Sequence, residues 1–245
     1  MWGIIYSEVK GLELTICTFN IRNFYLCNKD ERDNYFYVLR NFIIDNDIDV
    51  MGMQEVTRRV EREIRKGFSD YFLFGKYRYG RLPSLRGTNE GVFILSRERG
   101  TDTYSRYLIG ASFLYGSIVP RVMVSCYIRG ILFINVHLEY MSMKAKWVCL
   151  ERLFCYIDEN RDRDIVLMGD FNMTLRNGYF REFVIKLKNI GIGLVNNTVN
   201  TYIGDKGEKI LDYVFVSKGI NVTRCYTDSG ICISDHIPFI VKISL

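Results

Sequence analysis

Nine short apolar runs, rich in β-branched side chains, constrain the fold of this chain more than any other feature. Each run is six to nine residues long, which is the length of an ordinary β-strand. Several are apolar on both faces, as is typical of strands buried between packed layers. The runs cover residues 14–21, 49–56, 71–77, 91–96, 121–128, 131–138, 164–171, 210–217 and 237–245.

Three segments between these runs have the apolar spacing of amphipathic helices. They lie within 35–43, 142–160 and 180–190, where apolar residues recur three and four positions apart. The runs 121–128 and 131–138 are separated by only two residues, which predicts a hairpin. Hairpins mixed with helical crossovers indicate an α/β chain in which sheets pack on each other with helices outside.

Composition narrows the class of protein. The chain has 245 residues, of which 48% are hydrophobic and 25% charged, and this excludes a disordered or collagen-like chain. No Pro/Ser-rich linker interrupts residues 1–245, so we expect a single domain. No apolar stretch reaches the ~18 residues of a membrane helix, and the first residues do not resemble a secretory signal.

Seven cysteines occur without a C-x-x-C pair. With only two histidines in the chain, this pattern argues against structural zinc and favours buried thiols in a reducing compartment. We therefore expect an intracellular protein, cytoplasmic or nuclear, with no stable membrane association and no obligate protein partner.

The net charge of +5 is concentrated in one stretch. Residues 57–106 carry twelve arginines and lysines against six acids. Such a surface attracts phosphate-bearing partners, and the Tyr77-Arg78-Tyr79 sequence followed by Arg81 would grip a nucleic-acid backbone without reading bases. The alternative is a solvated helix face whose charges pair at i,i+4 spacing.

Polar residues stand where the apolar runs stop. In sheets with helical crossovers such ends gather at one rim, where functional sites are built. The residues in question are Asn20, Arg22, Glu55, His137, Glu139, Asp170, Asn172, Asp212, Asp235 and His236.

Each of these residues also has an ordinary structural explanation. Asp170 could be a turn residue, Glu55 could begin a helix at 57, His137 could be a hydrogen-bonded core residue, and Asp212 could be a paired acid. Charged groups among apolar strand residues nevertheless need partners, because unpaired burial is costly. Several such acids together indicate a cation, and oxygen ligands favour Mg²⁺ or Mn²⁺ over zinc.

The ordered motifs TFNIR, QEV, NEGVFILS, NVHLEY, GDFN, LDYVFVS and SDHIP resemble the endonuclease/exonuclease/phosphatase superfamily, which includes deoxyribonuclease-I-like nucleases. The resemblance covers nearly the whole chain. It implies a four-layer α/β/β/α sandwich of two packed mixed sheets flanked by helices. It also implies hydrolysis of phosphoester bonds with a divalent cation, Mg²⁺ or Mn²⁺.

The resemblance implies a metal site and a water-activating group. Glu55 resembles the main metal ligand, with Asn20 close by, and Asp235 resembles a further metal-site carboxylate. Asp170 resembles the group that orients or deprotonates the attacking water, and Asn172 helps to hold water and phosphate.

Two histidine–acid pairs follow from the same resemblance. His236 would contact the scissile phosphate while Asp212 orients its imidazole, and His137 would be a second histidine with Glu90 as its partner. A carboxylate beside each imidazole would raise its pKa. The expected substrate-binding residues are Arg22, Arg78, Arg81 and Asn172.

The sequence thus predicts a metal-dependent phosphodiesterase that acts on nucleic acid, with DNA as the expected substrate, by endonuclease or exonuclease cleavage. One alternative keeps the site but takes 5′-tyrosyl-linked DNA ends or a phosphoinositide or sphingolipid headgroup. A lipid enzyme would need a membrane-seeking element, for which the apolar segment 109–119 is the candidate; it could equally be another strand. A third hypothesis is a binding protein that has this fold but does not catalyse a reaction.

Overall fold

A computed structural model describes residues 13–22, 32–80, 89–111, 113–204 and 207–245. None of the described helices combines the length and apolar character needed to cross a membrane. In chain order the elements are β1 (Glu13–Asn20), α1 (Arg32–Asp45), β2 (Val50–Thr57), α2 (Arg58–Gly67), β3 (Phe72–Tyr77), β4 (Glu90–Ser96), β5 (Thr101–Ile109), a 3₁₀ turn (Phe113–Tyr115), β6 (Arg121–Ile128), β7 (Ile131–His137), α3 (Met143–Asp158), β8 (Asp164–Asp170), α4 (Gly178–Asn189), β9 (Ile192–Leu194), β10 (Tyr202–Gly204), β11 (Gly207–Lys209), β12 (Asp212–Ser217), β13 (Asn221–Thr227) and β14 (Phe239–Ser244).

The two six-stranded sheets follow the same construction rule. The first has the strand order β13-β14-β1-β2-β4-β3, and the second has the order β5-β6-β7-β8-β12-β9. Each contains one parallel pair, β1 with β2 and β7 with β8, and its other pairs are antiparallel. A helix forms the crossover within each parallel pair, α1 in the first sheet and α3 in the second.

Three apolar clusters show that the sheets and helices form four layers. Val50 and Ile94 of the first sheet pack against Val124 and Val166 of the second, between the sheets. On the outer face of the first sheet, α1 and α2 bury their apolar sides, and α3 and α4 do the same on the second. The predicted sandwich of two mixed sheets flanked by helices is therefore confirmed.

The nine predicted strands are all present, with ends that differ by at most two residues. The helices predicted within 35–43, 142–160 and 180–190 correspond to α1, α3 and α4. The predicted hairpin joins β6 to β7, and its turn residues Arg129 and Gly130 both have positive φ, of 51° and 80°. This pair of left-handed residues is the geometry of a two-residue hairpin turn.

Two longer strands, β5 and β13, were missed by the sequence analysis. Both lie at an edge of a sheet and are exposed or half-buried over most of their length, so they carry polar residues instead of a continuous apolar run. Among its described residues, the apolar segment 109–119 contains no strand beyond the last residue of β5 and includes a 3₁₀ turn, so the alternative of another strand is wrong.

The cysteine prediction holds only in part. Cys17, Cys126 and Cys149 are buried, whereas Cys155 and Cys232 are exposed. Cys27 lies outside the described residues.

Part of the basic stretch is paired within α2. Arg65 and Lys66 bind Glu61 and Glu63, at 2.9 and 3.2 Å. The helix-face interpretation therefore accounts for this part of the stretch.

Candidate active site

One cleft of 710 Å³ opens at the rim where β1, β2, β7 and β8 end. Its lining includes nine of the residues predicted for the site, namely Asn20, Arg22, Glu55, Arg78, His137, Asp170, Asn172, Asp235 and His236. Asp212 and Glu90 lie behind this lining, bonded to His236 and Arg78 respectively. Arg81 lies outside the described residues.

Register explains how residues so distant in sequence meet. In the second sheet His137 pairs with Asp170, and Asp212 pairs with the same Asp170 from the other side. In the first sheet Asn20, the last residue of β1, pairs with Gln54. The polar ends of five neighbouring strands therefore face one another across the rim of the sandwich.

Glu55 is presented by an irregularity in β2. The pairing of β2 with β4 shifts between Met53 and Val56, and Glu55 itself has a φ of +59°. Non-glycine residues rarely adopt this conformation, and such bulges re-aim a side chain next to functional sites. The buried Asn135 of β7 stabilises the bulge by donating from Nδ2 to the Met53 carbonyl at 3.1 Å.

Asn20 connects the carboxylates of the two sheets. Its Nδ2 donates to Glu55 Oε1 at 3.3 Å and to Asp170 Oδ2 at 3.0 Å, while its Oδ1 accepts from the Arg22 backbone N–H at 2.9 Å. One amide thus holds two acids that belong to different sheets.

Asp170 lies at the centre of the site. Its Oδ1 accepts from the Asn172 backbone N–H at 2.8 Å, and Asn172 adopts a positive φ of 53°. Its Oδ2 lies 3.5 Å from Nε2 of His137 and 3.7 Å from Nε2 of His236. Burial and then the Asp212 charge raise the pKa of Asp170 to about 7, although His236 acts in the opposite direction.

His236 forms the predicted pair with Asp212. Its Nδ1 lies 2.8 Å from Asp212 Oδ2, and because a carboxylate can only accept, Nδ1 carries the proton. Burial alone would lower the pKa of His236, but the charges of Asp212 and Asp170 outweigh it and raise the pKa to about 10. The imidazole is therefore a cation at neutral pH.

His137 does not form the predicted pair with Glu90. Arg78 lies between them, with Nη1 2.9 Å from Glu90 Oε2 and Nη2 2.6 Å from His137 Nδ1. A guanidinium has no acceptor, so His137 Nδ1 must accept and its proton resides on Nε2. Burial, and then the charges of Arg78 and Arg121, hold the pKa of His137 well below 6.5.

The expectation of a raised pKa is therefore wrong for this histidine, because its neighbour is a cation. His137 is neutral, and its Nε2–H faces Asp170 and Glu55, the latter with Oε1 at 3.8 Å. A neutral imidazole in this tautomer can donate a hydrogen bond but carries no charge.

Asp235 and Arg22 form an ion pair at the edge of the cleft. Arg22 itself has a φ of +41°, in the left-handed region. Ser234 donates from Oγ to the Asn20 carbonyl at 2.7 Å, and this bond holds the segment that carries Asp235 and His236 against the end of β1.

Sequence reasoning missed several residues of the cleft. Arg121, Tyr140, Lys146, Tyr202 and Lys209 also line it. Arg121 is 1% exposed and pairs with Glu139, one of the residues noted at the end of β7. Arg121 is the first residue of β6, two strands away from Asp170 in the sheet. This position at a strand end is the sequence feature that could have identified Arg121 as a cleft residue.

The acids of the site fit a hard divalent cation. Glu55 and Asp170 accept from the same Asn20 amide, Asp212 pairs with Asp170 between β12 and β8, and Asp235 lines the same cleft. The buried Asp212 Oδ1 has no hydrogen-bond partner among the described residues. Ligand atoms of Asp170, Asp212 and His236 lie within 4.8 Å of one another, but the protonated His236 has no free lone pair, so the carboxylate oxygens are the donors that a cation would use. Oxygen donors with this excess of negative charge are typical of Mg²⁺ and Mn²⁺ sites.

A four-layer sandwich with carboxylates and two imidazoles in a cleft at one rim is the arrangement expected for a phosphoester hydrolase of the superfamily that the motifs resemble. The chain belongs to the Endonuclease/Exonuclease/phosphatase family, whose family model matches residues 17–236. Phosphoester hydrolysis is the general activity of this class. No curated protein matches the sequence.

Solved structures share the fold at low sequence identity. An endonuclease/exonuclease/phosphatase from Bacteroides vulgatus is 20% identical with a TM-score of 0.76, covering 96% of this chain and 99% of its own. A mannosyl-6-phosphatase from Bacteroides thetaiotaomicron VPI-5482 is 20% identical with a TM-score of 0.75, covering 95% and 100%. ANGEL2, a 2′,3′-cyclic phosphatase, is 16% identical with a TM-score of 0.75 and covers 96% of each chain.

Proposed function

We propose that this protein is a divalent-metal-dependent phosphodiesterase that acts on nucleic acid, with DNA as the expected substrate. The observation that carries the proposal is Asp170, a buried carboxylate held between one charged and one neutral imidazole. Hydrolysis of a diester needs a base for water and positive charge for the phosphate oxygens, and this arrangement offers both.

Glu55 and Asp235 would hold the cation with their carboxylate oxygens, and Asn20 keeps Glu55 in position. A bound divalent cation would withdraw charge from a phosphate oxygen.

Asp170 would accept the proton of the attacking water. Its pKa of about 7 is close to neutral pH, where a general base works best. Asn172 fixes the carboxylate through its backbone N–H and bonds the Leu138 carbonyl through Nδ2 at 3.2 Å.

The two imidazoles would bind phosphate oxygens differently. His236 would place a positive charge beside the oxygen on which negative charge develops, with Asp212 holding the ring. His137 would donate a neutral hydrogen bond from Nε2, since Arg78 occupies its Nδ1.

Basic and aromatic side chains of the cleft support a nucleic-acid substrate. Arg22, Arg121, Lys146 and Lys209 stand along the lining together with Tyr140 and Tyr202. Cations bind the phosphate backbone, and aromatic rings stack on bases. Because the phosphate contacts are ionic, the affinity for nucleic acid should fall steeply as the salt concentration rises.

A lipid headgroup is the second candidate function, and the segment after β5 favours it. Leu114 and Ile118 of this segment are 83% and 44% exposed. The segment contacts the loop before α3, since Ser142 donates to the Tyr115 carbonyl, and that loop exposes Met141. Exposed apolar side chains beside a polar cleft are a feature of proteins that bind membrane surfaces.

A substrate panel tests these proposals. Purified protein is incubated with plasmid DNA, single-stranded DNA, RNA, tyrosyl-linked DNA ends, phosphoinositide vesicles and phosphate monoesters, each with Mg²⁺, Mn²⁺ or chelator. The double variant Glu55→Gln, Asp170→Asn is the blank. We expect metal-dependent cleavage of DNA. Turnover of vesicles alone would favour the lipid candidate, and no turnover of any substrate would favour a binding protein.

A further inference from the structure

The end of the cleft beside His137, the basic end, carries three cations, of which only Arg78 has a role in the reaction at Asp170, as the partner of His137 Nδ1. Arg78 follows β3, Arg121 begins β6 and Lys146 lies in the first turn of α3, and all three line the cleft. At the opposite end, the acidic end, Asp212 and Asp235 pair with the cations His236 and Arg22, so these two cations are already bound to carboxylates. The cleft is therefore polarised along the rim of the sandwich.

One edge of the Arg121 guanidinium is bound to Glu139, which fixes its orientation. Its Nε lies 3.4 Å from Glu139 Oε2, and both groups are almost fully buried. Glu139 is itself fixed by Ser117 Oγ at 2.6 Å and by the backbone N–H groups of Tyr140 and Met141 at 2.9 and 2.8 Å. Four donors on one carboxylate orient it and, through it, the arginine.

The other edge of Arg121 is available to an anion. Arg121 forms no second hydrogen bond within the part of the chain that the structure describes; it lines the cleft, with Cζ 5.4 Å from the centre of the Tyr140 ring. Its remaining N–H groups are open to the cleft, and a phosphate oxygen pair matches their geometry.

Lys146 strengthens the positive charge at the same place. It is only partly exposed and has no ion-pair partner among the described residues. Burial and then the nearby Arg121 charge lower the pKa of Lys146, against the raising effect of Glu139, and burial and Arg121 likewise lower the pKa of Arg78. Arg121 therefore acts electrostatically on both other cations, and an anion among them would relieve their repulsion.

We propose that Arg121 and Lys146, with Arg78 behind them, form a subsite for a second, non-scissile phosphate of the substrate. This inference rests on the proposed function, because it takes the scissile phosphate to lie between Asp170 and His236. The subsite lies on the His137 side of the cleft, where Arg78 and Arg121 are bound to Glu90 and Glu139. It predicts a substrate that carries a second phosphate beside the scissile one, as a nucleic-acid strand does and an isolated diester does not.

Dithymidine phosphates provide the test. The dinucleotide TpT has one phosphate, whereas pTpT and TpTp add a terminal phosphate on the 5′ or the 3′ side. Values of kcat and KM are measured for the three compounds with wild type, Lys146→Met and Lys146→Arg. Lys144→Met is the matched control, because Lys144 lies two residues earlier in α3 and stacks on Tyr115 outside the cleft lining.

Wild type should prefer one of the phosphorylated dinucleotides over TpT. In Lys146→Met this preference in kcat/KM should fall about tenfold, mainly through KM, since a charge-assisted hydrogen bond is lost. Lys146→Arg should retain the preference, and Lys144→Met should resemble wild type. An equal preference in wild type and Lys146→Met, or the same loss in Lys144→Met, would overturn the subsite.

Equilibrium binding separates this inference from the proposed function. Fluorescently labelled pTpT, TpTp and TpT are titrated into the Glu55→Gln protein, with and without Lys146→Met. A Lys146-dependent preference in binding, together with no cleavage of any diester by wild type, would support the subsite and overturn the proposed phosphodiesterase. Cleavage of diesters without any Lys146-dependent preference would do the reverse.

Discussion

The two ends of the cleft each hold one histidine, and the surroundings of these histidines are opposite. His236 has a carboxylate on Nδ1, whereas His137 has a guanidinium there. Both rings are almost fully buried, so burial disfavours the charged form of both. The partner on Nδ1 therefore sets the charge, and similar motifs in the sequence produce one imidazolium and one neutral donor.

Replacement of each histidine by alanine gives the largest contrast. His236→Ala should lower kcat by about 10³-fold or more, because a preorganised charge beside the phosphate is lost. His137→Ala should lower it by about 10²-fold, since only a neutral hydrogen bond is lost. The measurement is kcat on the best substrate of the panel, with circular dichroism as the folding control. Equal losses would show that the two ends do not differ in function.

Titration of the two rings measures the contrast directly. The chain has only two histidines, so the imidazole NMR signals of the metal-free protein are assigned by one variant. We expect His236 to titrate near pH 10 and His137 to stay neutral at and below pH 6.5. Two coincident titrations near pH 6.5 would contradict the assigned partners.

The pKa shifts of His236 and His137 make the free energy of unfolding depend on pH in opposite directions. The folded pKa of His236 exceeds its unfolded value, so its contribution is complete below about pH 6.5 and is lost as the pH rises through about 10. The folded pKa of His137 is depressed, so its contribution is present above about pH 6.5 and is lost on acidification. Denaturation of the metal-free protein across pH, with each alanine variant, separates the two contributions.

The carboxylates of the two ends should also differ in their effect on stability. Glu139→Ala should cost about 3 kcal/mol, because it leaves Arg121 buried without its partner. Asp212→Asn should cost less than Glu139→Ala, since the attraction lost to His236 is offset in part by relief of the repulsion between Asp212 and Asp170. Urea denaturation gives both values.

A double variant serves as the control for this comparison. Arg121→Met in the Glu139→Ala background should recover part of the loss, because an apolar side chain replaces the unpaired charge. A loss for Asp212→Asn as large as that for Glu139→Ala would contradict the assignment of the acidic end as electrostatically crowded.

The sequence predicted the acidic end better than the basic end, for a physical reason. Asp212, Asp235 and His236 lie in or beside strands that are buried on both faces, so their polarity stands out against apolar neighbours. The interior strands β1, β7 and β8 were predictable on the same ground, whereas the exposed edge strands β5 and β13 were not.

The basic end depends on contacts that no local pattern encodes. Arg78 was expected to bind substrate because it lies in a basic stretch, and nothing in that stretch indicates that it separates Glu90 from His137. Arg121 stands at the beginning of a strand like many surface arginines, and only the packing of β6 beside β7 places it in the cleft. Such tertiary pairings determine pKa values that motif spacing cannot supply.

Replacement of Arg78 should have the smallest effect on activity, and it tests most directly why His137 and His236 differ. Arg78→Met removes the cation from Nδ1 of His137, so the pKa of His137 should rise toward its ordinary value while that of His236 stays near 10. Activity should fall by only about threefold to tenfold, since His137 keeps its place but its proton is no longer fixed on Nε2.

Arg78→Lys is the matched variant, because an ammonium preserves the charge but cannot bond Glu90 and His137 with one planar fork. It should keep the pKa of His137 low and yet lose part of the activity. NMR titration of both variants, together with kcat, separates charge from orientation. If Arg78→Met leaves the titration of His137 unchanged, burial alone keeps this ring neutral, and the identity of the Nδ1 partner does not explain the difference between the two ends.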